Sequence, residues 1–79
     1  GERVALGREA ERLLNHEGAL GIALEMTQRG FVDRWINSLD PEEHARCHAG
    51  IHAMSEIERN LRIIQSDGEV AEEDLNPEG

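Results

Sequence analysis

The sequence predicts an all-α chain: an antiparallel helical hairpin with a short N-terminal helix over residues 1–68, and a flexible acidic tail over 69–79. Three observations carry that expectation. Apolar residues recur at the 3.6-residue period in three successive segments. The segment Asp40-Pro41-Glu42-Glu43 reads as a helix start, and no stretch alternates with the two-residue period of a strand. With 79 residues and a mass of 8.8 kDa there is room for one small domain.

The first helix is expected from Arg3 to Leu14. Leu6, Ala10, Leu13 and Leu14 share one face, and Arg8, Glu9, Glu11 and Arg12 lie elsewhere. Asn15 breaks it and is positioned to cap the next helix, with Glu17 early in that helix. The second helix, about His16 to Asn37, has a core stripe of Leu20, Ala23, Leu24, Thr27, Phe31 and Trp35. A second stripe, Ile22, Met26, Val32 and Ile36, lies beside or opposite the first. One partner helix cannot cover both, so the first helix is expected to fold over part of the second stripe and leave the rest for another protein.

The third helix starts at Asp40-Pro41. Asp40 caps, Pro41 has no amide to lose at the first helical position, and Glu43 stands three residues after the cap. Its core set is Cys47, Ile51, Met54, Ile57, Leu61 and Ile64, and it is expected to end near Gln65, with Gly68 as a left-handed C-cap. The short connection Ser38-Leu39-Asp40 makes the second and third helices antiparallel neighbours. From Glu69 onward the chain is acid-rich and poor in apolar residues, which predicts a mobile segment; Val70, Ala71 and Leu75 are its only candidates for docking. Of the glycines inside the predicted helices, Gly50 is the one expected at a close helix approach, and Trp35 is expected to plug the closed end.

Charge narrows the function. Eight arginines and no lysine stand against 17 acidic residues, for a net charge of −9. That balance argues against direct nucleic-acid binding and against an anionic membrane surface, both of which demand a cationic face. No apolar run approaches the ~20 residues of a membrane span. The single Cys47 forms no internal disulfide, which fits a reducing compartment. His44, His48 and His52 stand at i, i+4 and i+8, a spacing whose pairs can chelate zinc or copper. The stripe slides around the helix and Cys47 points elsewhere, so it is read as a dispensable polar flank and no metal site is assigned. No nucleophile, phosphate-loop, dinucleotide or metalloprotease motif is present. No catalytic residue, no cofactor and no enzymatic activity are expected.

The run Glu9-Ala10-Glu11-Arg12-Leu13-Leu14-Asn15, the helix reaching Val32-Asp33-Arg34-Trp35, the acidic helix start and the closing Arg62-Ile63-Ile64-Gln65-Ser66-Asp67-Gly68-Glu69-Val70-Ala71 together resemble a set of short helical proteins of tailed bacteriophages. Those proteins are encoded near the DNA-packaging, portal and capsid genes. This chain has His16-Glu17-Gly18 where Asp-Pro is usual, and Glu69 where Lys is usual. The resemblance implies a virion or assembly protein located in the particle or the host cytoplasm. Its partner would be itself or a viral structural protein such as a capsid or portal component. The interaction residues expected are Ile22, Met26, Val32 and Ile36. The alternative is a small acidic inhibitor of a host defence complex that presents carboxylates in place of phosphates. A third possibility is a metal-dependent regulator built on the His stripe.

Overall fold

A computed structural model describes residues 1–75, and all regular structure among them is helical. Helix α1 covers Glu2–Leu14, α2 Gly18–Asn37 and α3 Pro41–Leu75. At 1.5 Å per residue the 35 residues of α3 span about 52 Å, close to the full 57 Å length of a molecule only 20 × 17 Å across. Helices α1 and α2 lie end to end along this one rod. Gly7 meets Gly68, Leu14 and Leu24 meet Met54 and Ile57 about a shared notch, the Phe31 ring covers Gly50, and Trp35 stacks on His44. As the chain advances from residue 7 to 35 its contacts on α3 retreat from 68 to 44. Both short helices therefore run antiparallel to α3.

This placement corrects the expected position of α1, which lies on the distal half of α3 and does not fold over α2. The joint explains why. The N–H of His16 donates to the Leu13 carbonyl at 3.0 Å and the N–H of Glu17 to the Arg12 carbonyl at 2.9 Å, with His16 at φ 58°. These are the paired bonds of a Schellman motif, with histidine in the left-handed position usually held by glycine. Asn15 therefore closes α1 and does not cap α2, whose extended cap residue is Glu17. Gly21 lets the joint pack close, since a Cβ there would sit 2.8 Å from the His16 carbonyl carbon.

At the other end of α2 the helix start reads as the sequence predicts. Asp40 Oδ1 accepts the Glu42 N–H at 3.1 Å, and Pro41 is the first helical residue. Glu43 does not complete a capping box. Its carboxylate takes the Arg46 guanidinium at 3.0 Å and lies 3.8 Å from Cys47 Sγ, while the Asp40 N–H donates to Ser38 Oγ.

The expected end at Gly68 and the flexible tail from 69 are also corrected: α3 continues through Gly68 to Leu75. Gly68 is buried inside the helix, where its Cα faces Gly7 so closely that a Cβ on either glycine would lie 2.8 Å from the other's Cα. Ala10 and Ala71, three residues on in each helix, are buried as well. Two small residues on each side bring the backbones together, and contact with α1 orders a segment that could not order alone. Positions 76–79 of the expected tail lie outside the described residues.

Two ion pairs bracket this crossing. Arg3 donates from Nε to Asp67 Oδ2 at 2.9 Å and from Nη2 to Oδ1 at 2.5 Å, and Arg8 reaches Glu72 at 2.8 Å. The hydrogen bonds and charge of Arg3 hold the Asp67 carboxyl below its ordinary 3.8, and Asp67 raises Arg3 in return. A depressed carboxylate contributes stability above its unfolded value and loses it as pH falls through the folded value. Asp67→Asn is therefore expected to lower the melting temperature at pH 7, and its gap to the native chain should close below pH 3.8. Melts followed by circular dichroism between pH 7 and 2 measure that gap, and a gap independent of pH would refute the clasp.

Candidate protein interface

The interior is thin. Among the described residues the buried apolar side chains are Ala10, Cys47, Met54 and Ala71, and no polar side chain is buried. A two-layer packing one helix deep covers only one stripe of each helix, so whatever lies off that stripe stays in water. Leu24 and Phe31 sit half-buried against α3 as their period predicts, whereas Leu20, Ala23 and Thr27 are exposed. On α3, Ile57 and Ile64 flank the seam and remain exposed, while Leu61 is half-buried between them.

The four residues expected to form an interaction stripe lie on α2 and are open to solvent. Ile22, Met26, Val32 and Ile36 are exposed to 50, 68, 37 and 70%. Arg29 stands among them, held by Glu25 at 2.9 Å. Leu39, in the turn just beyond Ile36, is 97% exposed. Because α1 lies elsewhere, no helix among the described residues is packed over the stripe.

Further exposed apolar residues, Leu6, Ile63, Val70 and Leu75, lie on α1 and the distal half of α3. Sequence reasoning passed over Ile63, which falls off the core period, and singled out Val70 only as a docking candidate in an expected mobile segment. Their seven-residue spacing places both on the outer side of α3, in a shallow groove with Arg59, Arg62, Ser66 and Asp67.

The His stripe divides. The His44 ring stacks on Trp35 with centroids 4.9 Å apart and planes 11° from parallel, and its Nε2–H donates to the Ser38 carbonyl. His48 tilts against the same indole at 5.8 Å, and His52 lies 3.6 Å from Glu56. Among the described residues no group of three histidine, cysteine or acidic side chains is arranged to hold a metal ion. His44 is thus not part of a dispensable flank: it ties the 38–40 turn to the first turns of α3. His44→Gln is expected to cost about 1 kcal/mol, from a lost stack and a weakened hydrogen bond, and His52→Gln nothing measurable. EDTA should change neither melt. A shift of several degrees with chelator in the native chain would overturn this assignment.

Beneath the joint is a half-open notch of about 160 Å³. Leu13, Leu14, Leu24, Met54, Ile57 and Leu61 form its apolar wall, with His16, Gln28, Glu58 and Arg62 also lining it. The notch is where the line of α1 and α2 is interrupted over α3. Gly50 marks the other close approach, where a Cβ would meet the Phe31 ring at 2.5 Å. The expected crowding at Gly50 is there, though the neighbour is a side chain and not a helix backbone.

Charge is distributed unevenly. Helix α1 has Glu2, Glu9 and Glu11 against Arg3, Arg8 and Arg12, and α2 has Glu25 and Asp33 against Arg29 and Arg34, so each is neutral. Helix α3 has nine acidic residues against three arginines, a net −6. The most exposed apolar stripe therefore lies on a neutral helix. No helix among the described residues is long and apolar enough to cross a membrane. Compared with protein-family models, curated proteins and solved structures, the chain matches none.

Proposed function

We propose that this chain is a non-enzymatic assembly protein that acts through protein–protein contact, in the setting of a tailed-bacteriophage particle. The observation that carries the contact role is surplus surface. The chain exposes 5880 Å², whereas a compact monomer of its mass exposes about 4,800 Å². The excess, about 1,100 Å², is comparable to the ~800 Å² that each partner buries in a standard interface. Shape agrees: the radius of gyration is 16.4 Å, against about 11.6 Å for a compact chain of this length. Each large aliphatic side chain left in water forgoes about 1.5–3 kcal/mol, a large share of the ~4–12 kcal/mol available to a domain this size. The phage setting rests on the sequence resemblance.

Mass spectrometry of purified particles from the source virus, immature and mature, tests this reading. The chain is expected at many copies per particle in at least one of the two. Its absence from both would end the assembly role.

The acidic distal half of α3 favours a second reading, inhibition of a nucleic-acid-binding complex by charge mimicry. Asp67, Glu69, Glu72, Glu73 and Asp74 fall within eight residues of one helix. Arg3 and Arg8 neutralise two of these five, which weakens the phosphate-like display. Inhibition of a host nuclease complex by the purified chain, lost when Glu69, Glu73 and Asp74 are replaced by their amides, would favour it.

A further inference from the structure

We infer that the outer face of α2 pairs with α2 of a second copy of this chain, antiparallel, about a two-fold axis at Arg29. This rests on the proposed contact role and names its partner. The first ground is the order of residues on the stripe. Ile22, Met26, Arg29, Val32 and Ile36 are spaced by 4, 3, 3 and 4 residues, so reversing the helix carries Ile22 onto Ile36, Met26 onto Val32 and Arg29 onto itself. An isologous interface requires a patch complementary to its own reversal. At 100° per residue these five positions occupy an arc of about 120° centred on Arg29, on the side of α2 away from Leu24 and Phe31.

The second ground is electrostatic. In a pair joined through α2 the two α3 helices lie on the outside, roughly 30 Å apart at 8–10 Å per helix spacing. That distance exceeds the ~8 Å screening length at physiological salt, so the two net −6 helices do not oppose the contact. Pairing through the outer face of α3 would instead set −6 against −6 across a single helix spacing. The face of α2 holds Glu25, Arg29 and Asp33, a net −1 against the −6 of α3, so α2 is the helix on which a copy of this acidic chain can approach itself.

The third ground is the area. The surplus surface already described is comparable to what one partner loses in a standard dimer. The centre of the contact is polar. Each Arg29 keeps its own Glu25 at 2.9 Å, and in the reversed register Asp33 of the second copy falls level with Glu25, within a turn of Arg29. A charged pair amid aliphatic residues fixes register at some cost in stability.

Cysteine trapping in the full chain tests the symmetry. The native Cys47 is 1% exposed and stays out of the reaction. Facing Cα atoms across a helix contact of 8–10 Å lie about 3.5–5.5 Å apart, a range that overlaps disulfide reach. On mild oxidation Arg29→Cys is expected to cross-link to itself. Ile22→Cys and Ile36→Cys should each stay uncross-linked alone and cross-link when mixed. Sedimentation equilibrium of the native chain should give twice 8.8 kDa, and Ile36→Asp should return it to the single mass with its helical dichroism intact. Self-cross-linking of Ile22→Cys would mean a parallel pair and overturn the inference. So would a native chain that stays at 8.8 kDa at millimolar concentration. Neither result touches the particle measurement, which decides the assembly role separately.

Discussion

Met54→Ala is expected to remove about 2–5 kcal/mol of stability, the usual cost of truncating a buried methionine. Met54 is one of the few buried apolar side chains and stands where α1, α2 and α3 converge. It also walls the notch of about 160 Å³ that Leu14 and Leu24 line from α1 and α2, so truncation enlarges an existing void. Against a total near 4–12 kcal/mol, such a loss leaves a large unfolded fraction at 37 °C. A urea titration followed by circular dichroism measures it through the midpoint. A shift corresponding to less than about 1 kcal/mol would mean that the notch collapses around the shortened side chain and that the junction contributes little to stability.

Gly68→Leu is expected to separate α1 from α3. In an open helix, glycine to a good helix former gains about 1 kcal/mol. Here the added Cβ would lie 2.8 Å from the Gly7 Cα and 2.9 Å from the Arg3 carbonyl oxygen. Both are backbone atoms of a helix and cannot swing aside, so the expected sign reverses to a loss of about 1–3 kcal/mol. For a domain this small that is a fall of roughly 4–8 °C per kcal/mol. Gly30→Ala is the control, because only the Arg34 guanidinium, 3.8 Å away, stands near its Cβ position. A rise in melting temperature for both variants would show that the glycine crossing carries no weight.

The start of α3 was legible because it is local. Asp40 and Pro41 act on amides within two residues, and the Asp40–Glu42 bond is where the sequence predicts it. The open stripe on α2 was also legible, since Ile22, Met26 and Ile36 keep the helical period on the side away from α3. Gly68 was not. Asp-Gly after an apolar helix is a common stop, and the alternative depends on Gly7, 61 residues earlier in the chain. The fate of the acidic segment follows the same logic: Asp67 and Glu72 pair with Arg3 and Arg8 of α1, and Ala71 is buried beside that helix. The joint misled for a related reason. A left-handed histidine at residue 16 closes the Schellman bonds as a glycine would, so nothing in the residue type announced that Asn15 ends α1 and does not begin α2.

The distal half of α3 has little reason to be helical by itself. It has Gly68 in mid-course, and its last turn contains acids and no base, so the carboxylates sit at the negative end of the helix dipole. The hold of α1 rests on two pairs of small residues and two solvent-exposed ion pairs. Its only covalent link to α2 is the three-residue joint, so α1 can leave without disturbing the packing of Phe31 and Trp35. Departure of α1 would strip residues from about 64 onward of the one described helix packed against them and release them as an acidic coil. The molecule then has a fixed half and a conditional half, and the position of one thirteen-residue helix decides whether a neighbour meets a stiff rod or a polyanionic tether.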